Sequence, residues 1–257
     1  MGKIISVANQ KGGVGKTTSV INICASIAAR GYRVLIVDLD PQGNATSGLG
    51  ITKKSVTKST YDAMADANAV TGSVLYTATK NLFIMPSSVD LAGAELEMIE
   101  VEHRESLLKA ALMKIESKFD FIFIDCPPSL GLLTLNALNA SASVLIPIQC
   151  EYFALEGVSQ LTNTVSLIKR RYNPALEIEG VLLTMFDGRL NLAMQAAGEI
   201  KKYFSDKMYR TVIPRNVRVS EAPSHGMSIL QYDRSCKGAA AYDAVAVEFL
   251  KRNGRKA

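Results

Sequence analysis

Residues 9–18 read Asn-Gln-Lys-Gly-Gly-Val-Gly-Lys-Thr-Thr, a glycine-rich loop that carries two lysines, Lys11 and Lys16. Glycine would stand at position 10 in the ordinary Gly-x-x-x-x-Gly-Lys-Ser/Thr phosphate loop, and this chain has Gln10, so the loop is a variant. Its flanks restrict the fold strongly. The apolar run Ile4-Ile5-Ser6-Val7-Ala8 predicts a short buried strand, and Val20, Ile21, Cys24, Ile27 and Ala28 recur at helical spacing after Thr17. Strand, loop and helix in that order turn the backbone N–H groups of Gly12, Gly13, Val14, Gly15 and Lys16 toward one point at a helix N-terminus. Unpaired donors and the helix dipole favour an anion there. Lys16 then neutralises phosphate charge, the Thr17 hydroxyl is placed for magnesium, and Thr18 completes the first turn.

Strand-like segments recur at residues 3–9, 33–38, 81–85, 120–125, 142–148, 178–184 and 209–213. Helical patterns fall at 89–116, 130–140, 152–172, 191–204 and 235–252, and residues 51–80 read as a polar excursion with short helices. This alternation predicts an α/β fold, a mainly parallel twisted sheet with helices on both faces. With 257 residues, 48% hydrophobic, the chain can bury one large core, so the expectation is a single domain over residues 1–257.

No apolar run approaches the ~18 residues of a membrane span, and no leader-like pattern opens the chain, which predicts a cytoplasmic protein without a membrane partner. Gly2 formally fits an acylation pattern but leads straight into the first strand, so the match reads as accidental. Cys24, Cys126, Cys150 and Cys236 show no paired spacing, and with two histidines they make no convincing metal set. Net charge is +5, unevenly spread: 17 Lys/Arg face 19 Asp/Glu in residues 1–200, against 12 and 5 in residues 201–257. A C-terminal basic excess suits a polyanion, although a solvated helix face and basic tail have the same composition.

Two acidic sites follow apolar runs. Asp38 and Asp40 lie two apart in Val37-Asp38-Leu39-Asp40-Pro41, and in extended geometry both face the crevice beyond the strand's carboxyl end. Asp38 suits the magnesium shell and Asp40 suits orientation of the attacking water. Phe121-Ile122-Phe123-Ile124-Asp125 is a Walker B type strand with Asp125 bearing on magnesium.

Lys11–Thr18, Asp38-Leu39-Asp40-Pro41-Gln42-Gly43-Asn44 and Ile124-Asp125-Cys126-Pro127-Pro128 resemble the deviant Walker ATPases, and among them the ParA/Soj partitioning proteins over nearly the whole length. Further similar stretches are Glu151–Gly157, Thr184–Arg189 and, most discriminating, Ile213–Gly226. The resemblance implies an ATPase that uses ATP and Mg2+. Two ATP-bound subunits form a homodimer face to face, with Lys11 crossing to the partner's nucleotide. A cation supplied in trans stabilises charge in phosphoryl transfer, as arginine fingers do. Gly12 must then be small where the loops meet. By the same resemblance Met185, Pro214 and Asn216 lie near the adenine, Glu151 approaches nucleotide across the interface, and Arg189 and Arg218 bind double-stranded DNA without sequence preference on the nucleoid. A ParB-like centromere-binding protein stimulates hydrolysis. Three alternatives share the scaffold: a MinD-like membrane switch, a small-molecule ligase or amidotransferase, and a nitrogenase-type iron–sulfur reductase.

Overall fold

The computed structural model describes residues 2–151 and 154–257, apart from the side chains of Glu95 and of residues 154–159. Tyr152 and Phe153, inside one of the stretches quoted above, lie outside it, as does the expected start of the helix over 152–172. The strands are β1 (Lys3–Val7), β2 (Val34–Asp38), β3 (Leu75–Tyr76), β4 (Leu82–Met85), β5 (Phe121–Asp125), β6 (Ser143–Gln149) and β7 (Glu177–Thr184). They form one seven-stranded sheet in the order β3-β4-β2-β5-β1-β6-β7, parallel except for β3.

The helices are α1 (Lys16–Ala29), α2 (Asn44–Gly48), α3 (Thr60–Ala65), α4 (Leu91–Glu97), α5 (Leu107–Met113) and α6 (Leu132–Ala140). They continue with α7 (Ala154–Arg171), α8 (Asn191–Phe204), α9 (Val217–Glu221), α10 (Ile229–Tyr232) and α11 (Lys237–Arg252). Because β5 is buried on both faces, its residues need no polar alternation. Ile122 and Ile124 enter the core layer under α5 and α6, whereas Phe121 and Phe123 enter the layer under α1 and α11. Phe249 of α11 meets the Phe121 ring edge-on at a centroid distance of 5.2 Å, so the last helix is part of the core. Its loss to alanine would cost about 3–5 kcal/mol.

Register decides where chemistry collects. Val7 and Asp38 each stand opposite Asp125, which aligns the carboxyl ends of β1, β2 and β5. The phosphate loop leaves β1 at that edge, the crevice where open parallel sheets take ligands. At the other end of β1, a Cβ on Gly2 would stand 2.4 Å from the Phe119 carbonyl oxygen, so glycine at this position answers to close backbone packing.

Several expectations need correction. Residues 209–213 form no strand: Tyr209 and Ile213 each donate one backbone bond, to Val181 (2.9 Å) and Leu183 (2.8 Å), without a continuing ladder. The turn at Ser205–Lys207 and the missing N–H of Pro214 bracket the segment and limit its pairing. The helix expected over 89–116 is divided into α4 and α5 by a bend in which His103 has φ of 55°. Asp40 does not share a strand with Asp38, because β2 ends at Asp38 and the chain turns through Pro41. Leu75–Tyr76 adds a short antiparallel edge that its polar surroundings concealed.

Candidate nucleotide site

Gly13 (φ 74°) and Gly15 (φ 84°) hold left-handed conformations that let the loop wrap back over the N-terminus of α1. Three side chains tie the loop down. Asn9 accepts from the Lys11 N–H (3.0 Å) and donates to the Pro147 carbonyl (2.8 Å), and the Lys16 ammonium donates back to the Lys11 carbonyl (3.2 Å). Thr184, the last residue of β7, donates its hydroxyl to the Val14 carbonyl at 2.8 Å. Val14 contributes its main chain and is itself buried.

Two clefts meet at this loop. The first, about 570 Å3, is lined by Gly12, Gly13, Gly15, Lys16, Thr17, Thr18 and Asp40, with Gln42, Asn44, Pro128 and Ser224 among its other walls. Met185, Pro214 and Asn216 line the second, about 510 Å3, which shares Gly13, Gly15, Thr18 and Pro223 with the first. The loop-lined chamber that holds Lys16 and Asp40 adjoins the second one along the loop glycines. Met185 carries φ of 48°, a conformation uncommon for a side-chain-bearing residue, and Phe186 beyond it donates to the Ile213 carbonyl at 2.9 Å. That bond joins the two segments that build the second cleft.

Behind the first cleft sits a buried acidic pair. Asp38 accepts through one oxygen from the Thr46 N–H (2.7 Å) and hydroxyl (2.6 Å), and its other oxygen has no hydrogen bond of good geometry among the described residues. Neither oxygen of Asp125 has a hydrogen bond of good geometry. Burial pushes Asp38 up to about 6, against the Thr46 bonds; burial and then Asp38 push Asp125 well up, while the nearby Thr17 hydroxyl and Lys16 ammonium act the other way. Desolvation lowers Lys16, and the charge of Asp125 opposes that. Orphaned buried carboxylate oxygens beside a threonine hydroxyl are a hard, oxygen-only donor set, which fits magnesium. Thr17, Asp38 and Asp125 are the residues that would hold it.

Other expected site residues stand elsewhere. Lys11 is turned to the Glu151 carboxylate, 140 residues later, and neither lines the clefts. Arg189 is exposed and gripped by Asp187 through Nε (2.9 Å) and a terminal nitrogen (2.6 Å); Arg218 pairs with Glu221 at 3.0 Å. Sequence reasoning missed Asn9, Thr46, Ser87 and Thr184 as supports. Asn9 and Thr184 fall within stretches the sequence singles out, but Thr46 and Ser87 have no such signal, because a buried serine or threonine reveals its bonding partner only in three dimensions.

Such a sheet, with a phosphate loop after its first strand and acids ending two neighbouring strands, defines a P-loop nucleotide-binding protein. A family model described as an AAA domain matches residues 2–178. The chain is 57% identical to the sporulation initiation inhibitor protein Soj of Bacillus subtilis (strain 168), over 96% of this chain and 98% of that one. It is 50% identical to the chromosome partitioning protein ParA of Myxococcus xanthus (strain DK1622), over 100% and 90% of the two lengths. A solved structure of cobyrinic acid a,c-diamide synthase from Mycobacterium smegmatis, with bound ATP analog and magnesium, superposes with a TM-score of 0.89 at 36% identity, covering 100% of this chain and 98% of that one. The chain belongs to the ParA/Soj family of chromosome-partitioning ATPases.

Proposed function

We propose that the chain is an ATP-driven switch for moving DNA, whose ATP-bound homodimer holds double-stranded DNA without reading sequence and lets go after hydrolysis. The observation that carries the reading is the gathering of Lys16, Thr17 and Asp40 on one cleft at the carboxyl edge of the sheet, with the buried Asp38–Asp125 pair behind it. The N–H groups of residues 12–16 and the Lys16 ammonium hold the phosphates, and the base lies against Met185, Pro214 and Asn216. Thr17, Asp38 and Asp125 would hold magnesium, which when bound would neutralise charge on the phosphate oxygens. Asp40, 8% exposed and lining the cleft, orients the attacking water with the carboxylate oxygen that Gln42 leaves free.

Lys11 completes the partner's site in the dimer, which requires it to leave Glu151. An exposed ion pair of this kind is worth only about 0–1 kcal/mol, so a triphosphate competes with it readily. Arg189 and Arg218 supply phosphate contacts of the counterion-releasing kind, and a basic C-terminal quarter supports them. The stimulating partner in this reading is a ParB-like centromere-binding protein, and the working location is the nucleoid.

A second reading, an ATP-dependent amidating synthase, has the name of the solved neighbour in its favour. Against it, burial raises the thiols of Cys24, Cys126 and Cys150, the last to about 11, so none of these three is activated for attack on glutamine. A membrane switch fits poorly with α11, where Val245, Ala246, Phe249 and Leu250 are buried in the core. No helix among the described residues is long and apolar enough to cross a membrane. The deciding experiment is DNA co-sedimentation with ATP, with ADP and without nucleotide. Retention that needs ATP and ignores sequence is expected; equal retention in all three states would sink the proposal.

A further inference from the structure

Ser87 lies two residues beyond β4, is 1% exposed, and touches neither cleft. Its hydroxyl donates to the Asp40 carbonyl at 2.6 Å, and its N–H donates to the Thr46 hydroxyl at 3.0 Å. That second bond uses an acceptor lone pair of Thr46 and so leaves the Thr46 proton for Asp38, to which it donates at 2.6 Å. One buried serine therefore braces the main chain of Asp40 and, through a single hydroxyl, the carboxylate of Asp38. Gly43 also donates to the Asp40 carbonyl, at 2.8 Å, and Gln42 donates to its carboxylate at 2.9 Å, so both the main chain and the side chain of Asp40 are tied down. Ser87 is anchored in turn, because the Thr60 N–H donates to the Pro86 carbonyl at 2.8 Å.

From this geometry we infer that Ser87 is a positioning residue for hydrolysis. Its hydroxyl holds Asp40 at the water-orienting position, whereas the link to Thr46 and Asp38 runs through its N–H, so loss of the hydroxyl alone leaves nucleotide affinity in place. Asp40 sits beyond the end of β2, in a turn with no strand ladder to fix it, so a brace from the neighbouring strand's end supplies what the ladder does not. A tilt of the Asp40 main chain swings the carboxylate, and misplacement by about 1 Å costs on the order of 100-fold in rate.

The inference rests on the assignment of Asp40 to hydrolysis, and the variants separate the two. Ser87→Ala and the near-isosteric Ser87→Cys both remove the strong donor. Each is expected to lower single-turnover ATP hydrolysis by about 10- to 100-fold, with the affinity for a fluorescent ATP analogue and the melting temperature held near wild type. ATP-bound dimer is expected to accumulate on size-exclusion chromatography, and Ser87→Thr, which keeps the hydroxyl, to restore turnover. Wild-type turnover in Ser87→Cys overturns the inference, since packing alone would then suffice. Loss of ATP affinity in step with hydrolysis overturns it too. Normal turnover in Asp40→Ala removes the assignment beneath it.

Discussion

The ammonium of Lys11 is bound to the carboxylate of Glu151, two residues 140 apart that meet beside the phosphate loop. The lysine that distinguishes this loop from the ordinary kind thus faces its own chain. Lys16 is instead buried against Asp125 and fixed to the loop's own carbonyl. Two lysines in one loop therefore have different surroundings, one exposed and paired with a distant carboxylate, the other buried in the loop itself.

Lys11→Ala is expected to bind ATP as wild type does and to lose hydrolysis by about 10³-fold or more, the scale of a cation supplied in trans. Equilibrium binding with a fluorescent analogue and a phosphate-release assay check the two halves. Turnover near wild type removes Lys11 from the reaction.

Lys16→Ala should bind no ATP. It deletes the cation that neutralises the phosphates and leaves the Asp38–Asp125 pair without its nearby positive charge. Isothermal titration with ATP and magnesium measures this, and retained micromolar affinity contradicts the phosphate-loop assignment.

Gly12 has no positive φ, and a Cβ built on it meets nothing within 4 Å among the described residues. None of the described residues calls for glycine there. Gly12→Val should therefore melt within about 1 kcal/mol of wild type, as a surface change does, bind ATP, and remain monomeric. Sedimentation velocity with ATP would show a wild-type dimer if close loop-to-loop packing were wrong.

Arg189 spends its charge on Asp187, whose carboxyl the guanidinium holds down to about 2. Arg189→Glu should weaken DNA retention without touching dimerisation. Asp187→Asn should strengthen retention by freeing the arginine, with a salt slope steeper by about 1. Unchanged binding in both variants refutes this surface.

Glu179 is nearly buried, and its carboxyl stays low because bonds from Lys3 (2.5 Å), Ser143 (2.6 Å) and Asn253 (2.7 Å) outweigh the cost of burial. A lowered folded pKa gives stability that is present above the unfolded value of about 4.3 and lost as pH falls through the folded one. Lys3→Met should cost about 2–4 kcal/mol at neutral pH by stranding that carboxylate. The deficit in urea unfolding should shrink below about pH 4; a deficit independent of pH contradicts the account.

Much of the fold was legible in the chain. Runs such as Phe121-Ile122-Phe123-Ile124 announce strands buried on both sides, and the loop between β1 and α1 was readable because glycine and lysine spacing is a backbone requirement. Asp38 and Asp125 were legible as strand-ending acids. The short pairing of Leu75–Tyr76, the failure of 209–213 to extend the sheet, and the division of 89–116 were not, since each turns on which backbone donors find partners across the chain. Ser87 and Thr46 carry no motif at all.

By itself, the sequence determined that a phosphate-loop type of turn would stand at the start of α1, because that depends on local order: strand, glycines, lysine, helix. Only the tertiary structure decided that Asp38 stands beside Asp125 with unpaired oxygens, that Asp40 leaves the strand and is braced by Ser87, and that Lys11 reaches Glu151. Sheet register and long-range burial set those relations. They arise between segments far apart in the chain, where spacing along the sequence carries no information about distance.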